Sequence, residues 1–244
     1  MSKVVLITGA SRGIGAATAR RAARAGFDVA INYTRDEASA QAVADDVRAA
    51  GTQALVVRAD VGSEKEIVGM FEAVDASLGP VTALVNNTGI LFQQMRLDEM
   101  DAERIARVLA VNVTGTILCC REAVRRMSTR HGGSGGAIVN VSSASSHLGG
   151  PGINVTYAAS KGAVDSLNWG LAQEVAAEGI RVNSVSPGVI DTEIQPAGRV
   201  EQVGPNLPMK RVGQAEEVAA AILFLLSDGA SYVAGTKINV SGAR

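Results

Sequence analysis

The feature of this sequence that most constrains its fold is the regular alternation of short β-branched runs with longer segments of helical periodicity. The runs are VVLITG (4–9), DVAINY (28–33), ALVVRADV (54–61), ALVNNTG (83–89), GAIVNVSS (136–143), IRVNSVSPG (180–188) and TKINVSG (236–242). The clearest helical patterns cover residues 36–50, 64–78, 101–127, 157–178 and 215–227. An order of strand, helix and strand throughout predicts right-handed crossovers and a parallel sheet covered on both faces. We therefore predict an α/β fold with a doubly wound sheet.

Two of these helices have readable starts. Ser63 with Glu66 and Thr34 with Glu37 both match a capping box, in which a hydroxyl and a carboxylate three residues apart satisfy two backbone amides. We therefore expect Ser63 and Thr34 to be helix N-caps.

Length and composition favour one domain covering residues 1–244. Of the 244 residues, 47% are hydrophobic and only 3% are aromatic, so Ala, Val, Ile and Leu would build the core. No internal repeat or domain linker is visible. The proline-rich stretch 187–208 is long for a connection in a compact domain. We expect it to hold a substrate lid at about 189–208.

Charge and apolar patterning exclude several classes of partner. Lys and Arg number 23 and Asp and Glu 24, a net charge of −1 with interspersed signs, which predicts no nucleic-acid or membrane partner. The start of the chain lacks signal-peptide features, and the apolar stretch 218–226 is far shorter than the ~20 residues that span a bilayer. The only cysteines, Cys119 and Cys120, lie in an apolar helical segment and are expected to fill the core. We expect a cytoplasmic protein.

The segment TGASRGIG (8–15) follows the first strand directly and opens the first helix. Gly9, Gly13 and Gly15 would allow a tight turn and a close approach of the backbone to a ligand. Free amides at a helix N-terminus favour negative charge. In this context the pattern predicts a site for the diphosphate of a dinucleotide.

The tip of the second strand indicates which dinucleotide binds. In dinucleotide folds an acidic residue roughly 20 positions past the glycines usually holds the ribose 2′-hydroxyl of NAD, whereas this chain has NYTR (32–35). Arg35, together with Arg12 in the glycine loop, favours a 2′-phosphate and hence NADP(H). Asp36 and Glu37 follow at once and are expected to be structural, and NAD(H) remains an alternative.

A tyrosine and a lysine stand four residues apart in YAASK (157–161). Helical periodicity places Tyr157 and Lys161 on one face, and three small residues keep that face open. Ligands of doubly wound sheets bind outside the carboxyl ends of the strands. The residues that end the fourth, fifth and sixth predicted strands are Asn87, Gly89, Ser142, Ser143, Pro187 and Gly188. We expect the tyrosine and lysine to meet them there.

Taken together, TGASRGIG, NNTG (86–89), Ser143 with YAASK, and SPGVIDT (186–192) resemble the short-chain dehydrogenase/reductase family over essentially the whole chain. Four motifs in the right order, each at a predicted strand end, make the resemblance specific. It implies a single Rossmann-type domain with a seven-stranded parallel sheet and a nicotinamide cofactor. Within the family the chain is most similar to the 3-oxoacyl-carrier-protein reductase-like group.

The resemblance also implies catalytic roles. Tyr157 looks like the acid/base of the family, Lys161 like its helper, Ser143 like the group that polarises the substrate oxygen, and Asn112 like the residue that holds a water for proton relay. A tyrosine of pKa near 10 is a poor proton donor at neutral pH, so the Lys161 ammonium and bound NADP⁺ would have to lower that pKa. No metal site is predicted.

A further set of residues is expected to contact the cofactor. They are Gly9, Ser11, Arg12, Gly13, Ile14, Gly15, Thr34, Arg35, Asp60, Val61, Asn87, Gly89, Tyr157, Lys161, Pro187, Gly188, Ile190 and Thr192. Thr88 departs from the family, which usually has alanine in its place, and would add bulk and a hydroxyl beside the cofactor.

The function expected from these residues is hydride transfer between NADP(H) and a carbonyl or secondary alcohol, most simply reduction of a 3-oxoacyl thioester. The alternatives are an enzyme of a free small ketone, alcohol or sugar, and a non-catalytic NADP(H) sensor, which Tyr157 and Lys161 argue against. Arg126 and Arg130 would suit an acidic carrier protein, but Glu174 and Glu178 have the opposite sign. Relatives usually form tetramers through the two long helices and the last strand, so we expect a homotetramer.

Overall fold

The computed structural model describes residues 3–152, 154–193, 195 and 198–244, and its centre is a seven-stranded sheet. The strands in chain order are β1 (Lys3–Ile7), β2 (Phe27–Tyr33), β3 (Ala54–Arg58), β4 (Ala83–Asn86), β5 (Gly136–Val141), β6 (Ile180–Pro187), β7 (Ile190–Asp191), β8 (Gly213–Gln214) and β9 (Lys237–Val240). The large sheet has the order β3-β2-β1-β4-β5-β6-β9 with parallel neighbours, while β7 and β8 pair separately.

Helices cover both faces of the sheet. In chain order they are α1 (Gly13–Arg24), α2 (Glu37–Ala49), α3 (Glu64–Ser77), α4 (Ala102–Leu109), α5 (Gly115–Met127), α6 (Ser145–Leu148), α7 (Val155–Val175), α8 (Arg199–Val203) and α9 (Ala215–Leu226). Helices α1, α2 and α9 pack on one face, with Val5 and Ile7 of β1 beneath them. Helices α3, α5 and α7 pack on the other face, against Val4 and Leu6. This alternation confirms the predicted doubly wound α/β fold.

The strand order places the ligand crevice. From β1 the chain winds outward through β2 and β3, and it then returns to β4 on the opposite side of β1. Ligands of such sheets bind at this reversal, outside the carboxyl ends of the strands. The loops that leave β1 and β4 there carry TGASRGIG and NNTG, the two glycine motifs of the sequence.

The start of α2 differs from the prediction. Asp36, and not Thr34, is the N-cap, because its carboxylate accepts a hydrogen bond from the Ser39 amide at 3.0 Å. The Thr34–Glu37 capping box was therefore wrong. Asp36 is placed closer to the first turn, and a short carboxylate is as good a cap as a hydroxyl.

The other long helical predictions are confirmed with local changes. Ser63 caps α3 by accepting from the Glu66 amide at 3.4 Å, although the Glu66 carboxylate accepts from the Asp60 amide at 2.8 Å. The pattern at 101–127 is two helices, α4 and α5, joined by a π-helical turn at Ala110–Thr114. Within the part of the chain that the structure describes, no helix has both the length and the apolar character to cross a bilayer.

The expected lid at about 189–208 contains regular structure. Its described part holds β7, α8 and a 3₁₀ turn at Gly204–Asn206, and Val189 and Leu207 form a small apolar cluster with Val212. Residues 194, 196 and 197, including Pro196 of the proline-rich stretch, lie outside the described residues. The role of this segment as a lid stays a prediction.

A row of buried polar side chains crosses the centre of the sheet. Asn86, Asn140 and Ser184 are register partners on β4, β5 and β6. Asn86 Nδ2 donates to Asn140 Oδ1 at 2.9 Å, and Asn140 Nδ2 donates to Asn168 Oδ1 of α7 at 3.5 Å. Cys120 of α5 is buried beside them, as expected for a core-filling cysteine, and its Sγ accepts from Asn86 at 3.2 Å. Polar side chains thus tie the helices to the strands beneath the crevice.

Candidate active site

The loop after β1 adopts the geometry that its glycines predicted. Gly9 and Gly13 have φ values of 62° and 54°, in the left-handed region that favours glycine. A Cβ atom at Gly15 would collide with the Gly9 carbonyl oxygen and lie 2.7 Å from Asn87 Nδ2. The loop therefore needs glycine at each of these positions, and its backbone is open to a ligand.

Side chains from neighbouring strands hold this loop in place. Asn87 Nδ2 donates to the carbonyl oxygens of Thr8 and Gly9 at 3.0 and 2.9 Å. The Gly9 amide donates to Asn32 Oδ1 at 3.1 Å. Asn87 thus supports the glycine loop, and its contact with the cofactor stays a prediction.

The N-terminus of α1 fits a phosphate group. Arg12 is its N-cap, and the first hydrogen bond of the helix runs from the Ala16 amide to the Arg12 carbonyl. In the described chain α1 has neither a side-chain cap nor an acidic residue in its first turn. Ser11 lies in the loop beside these amides, while the Ile14 side chain turns inward against Ala17. The amides and the helix dipole are thus left for an anion.

Two exposed arginines flank the tip of β2. Hydrogen bonds from Ser39 lower the pKa of Asp36, and the charge of Arg12 adds to that effect. Arg35 similarly contributes to lowering the pKa of Asp60. The charges of both guanidinium groups therefore reach carboxylates near the tip of β2, and their contact with a 2′-phosphate stays a prediction. Asp36 is occupied as a helix cap, which agrees with its expected structural role.

Asp60 follows β3 and is already paired. Its Oδ2 atom lies 2.6 Å from Arg107 Nη2, and its Oδ1 atom accepts from the Gly62 amide at 2.8 Å. Burial alone would raise the pKa of Asp60, but these hydrogen bonds and the nearby arginine charges lower it overall. Its neighbour Val61 is buried in the core, and Thr34 donates its hydroxyl proton to the Ala59 carbonyl at 3.3 Å. Any adenine contact by Asp60 would use a carboxylate that stays ionised and fixed.

Thr88 lies against the glycine loop. Its Oγ1 atom would be 2.9 Å from a Cβ atom at Gly9. That oxygen is buried, and the described residues give it no hydrogen-bond partner. The hydroxyl that distinguishes this chain from the usual alanine is thus packed against the loop backbone.

Tyr157 and Ser143 meet at the start of α7. Burial raises the pKa of Tyr157, and a hydrogen bond with the Ser143 side chain opposes that rise. Ser143 Oγ also accepts from the Ser145 amide at 3.1 Å, which fixes the serine at the end of β5. The predicted pairing of this serine and tyrosine is present, with the tyrosine protonated at neutral pH.

Lys161 is on the same face of α7, one turn further along. Its Nζ atom donates to the Val141 carbonyl at 2.7 Å, and the residue is only 3% exposed. Burial lowers the pKa of Lys161 to about 8, against a raising effect of Asp165. A Cβ atom at Gly89 would lie 3.3 Å from this nitrogen, so the glycine that ends NNTG allows the lysine to approach.

Asn112 occupies the π-helical turn between α4 and α5. Its Oδ1 accepts from the Ile90 amide at 2.8 Å, and its Nδ2 donates to the Ile90 carbonyl and to Ser160 Oγ, both at 3.1 Å. It is fully buried, which excludes a solvent-facing asparagine. π-Helical turns are rare and are frequent at functional sites. The side chain joins α7 to the segment after β4.

The segment after β6 closes the other side of the crevice. A Cβ atom at Gly188, which follows Pro187, would lie 2.8 Å from Ser241 Cα, so only glycine fits. Ile190 is buried in the core, and Thr192 Cγ2 would lie 3.3 Å from a Cβ atom at Gly13. Thr192 therefore borders the glycine loop, whereas the side chain of Ile190 faces inward.

Sequence reasoning assigned no role to three residues that build the site. Thr8 Oγ1 accepts from the amides of Asn87 and Thr88, both at 3.0 Å. Asn32 and Arg107 hold the Gly9 amide and the Asp60 carboxylate. Thr8 could have been found from its place in TGASRGIG, but the other contacts join residues far apart in sequence.

Comparison with known proteins agrees with this geometry. A family profile described as enoyl-(acyl carrier protein) reductase matches residues 9–242. An uncharacterized oxidoreductase of Escherichia coli (strain K12), YgfF, is 55% identical, with 99% of each chain covered. The 3-oxoacyl-[acyl-carrier-protein] reductase FabG of Staphylococcus aureus is 35% identical over 99% of this chain and 98% of its own.

Solved structures also share this fold. The crystal structure of a short-chain dehydrogenase from Burkholderia cenocepacia in complex with NADP has a TM-score of 0.90 at 33% identity, with 98% of this chain and 96% of that chain covered. The chain belongs to the short-chain dehydrogenase/reductase family, and it is an oxidoreductase of that family. The expected Rossmann fold and enzyme class are thereby confirmed.

Proposed function

We propose that this protein is an NADP(H)-dependent reductase of 3-oxoacyl thioesters. The observation that carries the proposal is the meeting of Ser143, Tyr157 and Lys161 at the carboxyl edge of the sheet, beside a glycine loop suited to a diphosphate. A bound nicotinamide would supply the hydride for carbonyl reduction.

The side chains would then stabilise the developing charge and transfer the proton. As negative charge grows on the substrate oxygen, the hydroxyls of Ser143 and Tyr157 would stabilise it by hydrogen bonds. Tyr157 would give its proton to that oxygen, since a tyrosine whose pKa is raised above its ordinary value of 10.0 is protonated at neutral pH. Lys161 would stabilise the tyrosinate through its ammonium charge. Asn112 would hold α7 against the segment after β4.

The choice of NADP(H) rests on charge at the tip of β2. Arg12 and Arg35 are exposed there, and guanidinium groups bind phosphate with paired hydrogen bonds. The Burkholderia cenocepacia relative, of similar fold and 33% identity, was crystallised with NADP, which supports the same choice. NAD(H) is the alternative.

The class of substrate rests on similarity to the Staphylococcus aureus reductase. One observation favours a free substrate over a carrier-bound one. Arg126, expected to suit an acidic carrier protein, donates to Asp75 at 2.7 Å and to Glu122 at 3.0 Å, and its side chain is only 16% exposed. Arg130 is exposed, but the Arg126 charge expected to act with it on an acidic carrier protein is already paired with carboxylates of this chain. A small ketone, alcohol or sugar is therefore the second candidate.

The test combines binding with turnover. Fluorescence titration with NADPH and NADH gives the cofactor preference, and absorbance at the reduced-nicotinamide band follows reduction of acetoacetyl-CoA and of carrier-bound acetoacetate. NADPH preference with turnover of either thioester is expected. Turnover only of free ketones, alcohols or sugars would favour the second candidate, and binding without any turnover would favour a sensor.

Assembly and location are proposed as well. Leu109 of α4, Ile117 of α5 and Trp169 of α7 are 41%, 44% and 62% exposed, which suits burial by neighbouring subunits of a homotetramer. Light scattering at micromolar concentration should give four times the chain mass, and a monomer mass would contradict the proposal. We propose a cytoplasmic location, to be checked by cell fractionation.

A further inference from the structure

Lys161 is a cation in a buried position. Among the described residues its ammonium has one hydrogen-bond acceptor, the Val141 carbonyl at 2.7 Å. A buried charge is costly unless an opposite charge lies nearby. Asp165 follows Lys161 by four residues, so both side chains lie on the same face of α7.

Only one of the two carboxylate oxygens of Asp165 has a hydrogen-bond partner among the described residues. Its Oδ2 atom accepts from Lys237 Nζ of β9 at 2.8 Å, with the two side chains 21% and 33% exposed. Its Oδ1 atom is buried and has no hydrogen-bond partner among the described residues. A buried carboxylate oxygen without a partner destabilises a fold. The ion pair with Lys237 therefore leaves one carboxylate oxygen of Asp165 without a hydrogen-bond partner among the described residues.

The other groups near Lys161 in the described part of the chain are neutral. Tyr157 on α7 is protonated, Asn112 is an amide, and β5 presents a backbone carbonyl. Burial dominates the pKa of Lys161, and Asp165 is the residue whose charge acts against it. Lys237 faces Asp165 from β9, so its positive charge reduces the effect of the Asp165 carboxylate on the pKa of Lys161.

We propose that Asp165 and Lys237 are positioning residues for catalysis: the Asp165 carboxylate keeps Lys161 charged beneath Tyr157, and Lys237 limits that effect. The proposal rests on the proposed roles of Tyr157 and Lys161. Neither residue of the pair need touch substrate or cofactor. They set the pH range over which the ammonium is present for the tyrosine.

The two halves of the pair predict opposite shifts. Asp165→Asn removes the negative charge with almost no change in shape, so the midpoint of Lys161 titration should fall. Lys237→Gln removes the positive charge that offsets Asp165, so the midpoint should rise. Each shift is expected to be roughly 0.5 pH unit or more, since a neighbouring charge moves a pKa by this order.

The measurement is NMR titration of ¹³C-lysine-labelled protein without cofactor. The chain has few lysines, and Lys161→Met assigns the signal. The control is Asp46→Asn, which breaks a surface ion pair with Arg20 on α1 and α2. The pH dependence of kcat/KM for NADPH-driven reduction should shift in the same direction as each midpoint, and Asp46→Asn should leave both unchanged.

Opposite shifts in the two variants support the proposal. An unchanged midpoint in either variant, or shifts in the same direction, overturns it. If Asp165→Asn does not fold, Lys237→Gln alone decides, and a midpoint that fails to rise overturns the proposal. Because the titration needs no turnover, it is separable from the proposed function: an inactive protein that still shows both shifts refutes the reaction and keeps the charge coupling.

Discussion

The Nζ atom of Lys161 lies 5.7 Å from the centroid of the Tyr157 ring, one helical turn away on the same face of α7. The lysine reaches past the tyrosine to the last carbonyl of β5, so the helix and the strand fix its position together. The four-residue spacing of the two side chains therefore places a charged group beside a proton donor.

Replacing Tyr157 by Phe should reduce the rate of NADPH-driven carbonyl reduction by about 10²–10⁴-fold, since a positioned proton donor contributes that much. NADPH affinity should change little, because the ring remains. Steady-state kinetics and fluorescence titration measure the two quantities.

The matched control for this variant is Tyr232→Phe, since Tyr232 is fully exposed. It should behave like the unaltered protein. Full activity in Tyr157→Phe would show that another group donates the proton.

Replacing Lys161 by Met should stabilise the protein at pH 7. The pKa of Lys161 is lowered from 10.5 to about 8, so between these values the unfolded chain binds more protons and stability rises with pH. Below pH 8 the folded state bears the whole free-energy cost of the buried ammonium, on the order of 3 kcal/mol. The Lys161→Met variant removes this cost but also loses a hydrogen bond, which offsets about 1 kcal/mol of the gain.

Urea denaturation at pH 7 and pH 10 tests this expectation. Lys161→Met should be more stable by about 2 kcal/mol at pH 7, and the gain should shrink at pH 10. A variant less stable than the parent at both pH values would mean that the ammonium stabilises the fold.

Two glycines that differ only in their surroundings should respond oppositely to alanine. Gly15→Ala places a Cβ atom against the Gly9 carbonyl and Asn87, so it should distort the loop and weaken NADPH binding by at least about tenfold. Gly69→Ala, on the exposed side of α3 with nothing within 4 Å, should raise stability by about 0.5–1 kcal/mol. Isothermal titration and thermal melting compare the pair, and equal effects would remove the steric argument.

Removing Arg12 or Arg35 by alanine should weaken NADPH binding by about tenfold or more and leave NADH binding nearly unchanged, since a charged hydrogen bond contributes about 1.5–3 kcal/mol. Titration of both cofactors gives the ratio. Arg20→Ala, which breaks the surface ion pair with Asp46, is the control. Equal losses of affinity for both cofactors would mean that the arginines do not bind a 2′-phosphate.

Patterns with short range were predictable from sequence. The spacing of Tyr157 and Lys161 fixed their common face, and the glycines of TGASRGIG required their loop. The parallel, doubly wound sheet followed from the alternation of strand and helix patterns, because each crossover is right-handed. These inferences need only the local chain and its handedness.

Contacts between distant residues were not predictable in the same way. Lys237 and Asp165 are 72 residues apart, and no periodicity joins them. Asn112 was named as a site residue from the family resemblance, but the π-helical turn in which it lies and its hydrogen bonds with Ile90 and Ser160 follow no periodic pattern in the sequence. The cap at Asp36 was missed because Thr34, two residues earlier, also matches the sequence pattern of a capping residue, whereas in the structure its hydroxyl donates to the Ala59 carbonyl.

The buried row formed by Asn86, Asn140 and Ser184 also fixes how the strands align. A slip of β5 by one residue would turn the Asn140 amide toward the opposite layer of helices, among apolar side chains, and separate it from Asn86 and Asn168. Each amide left alone there would cost about 1–3 kcal/mol. The row therefore fixes the register of these strands. The register in turn determines where their carboxyl ends, which carry the proposed catalytic residues, lie relative to one another.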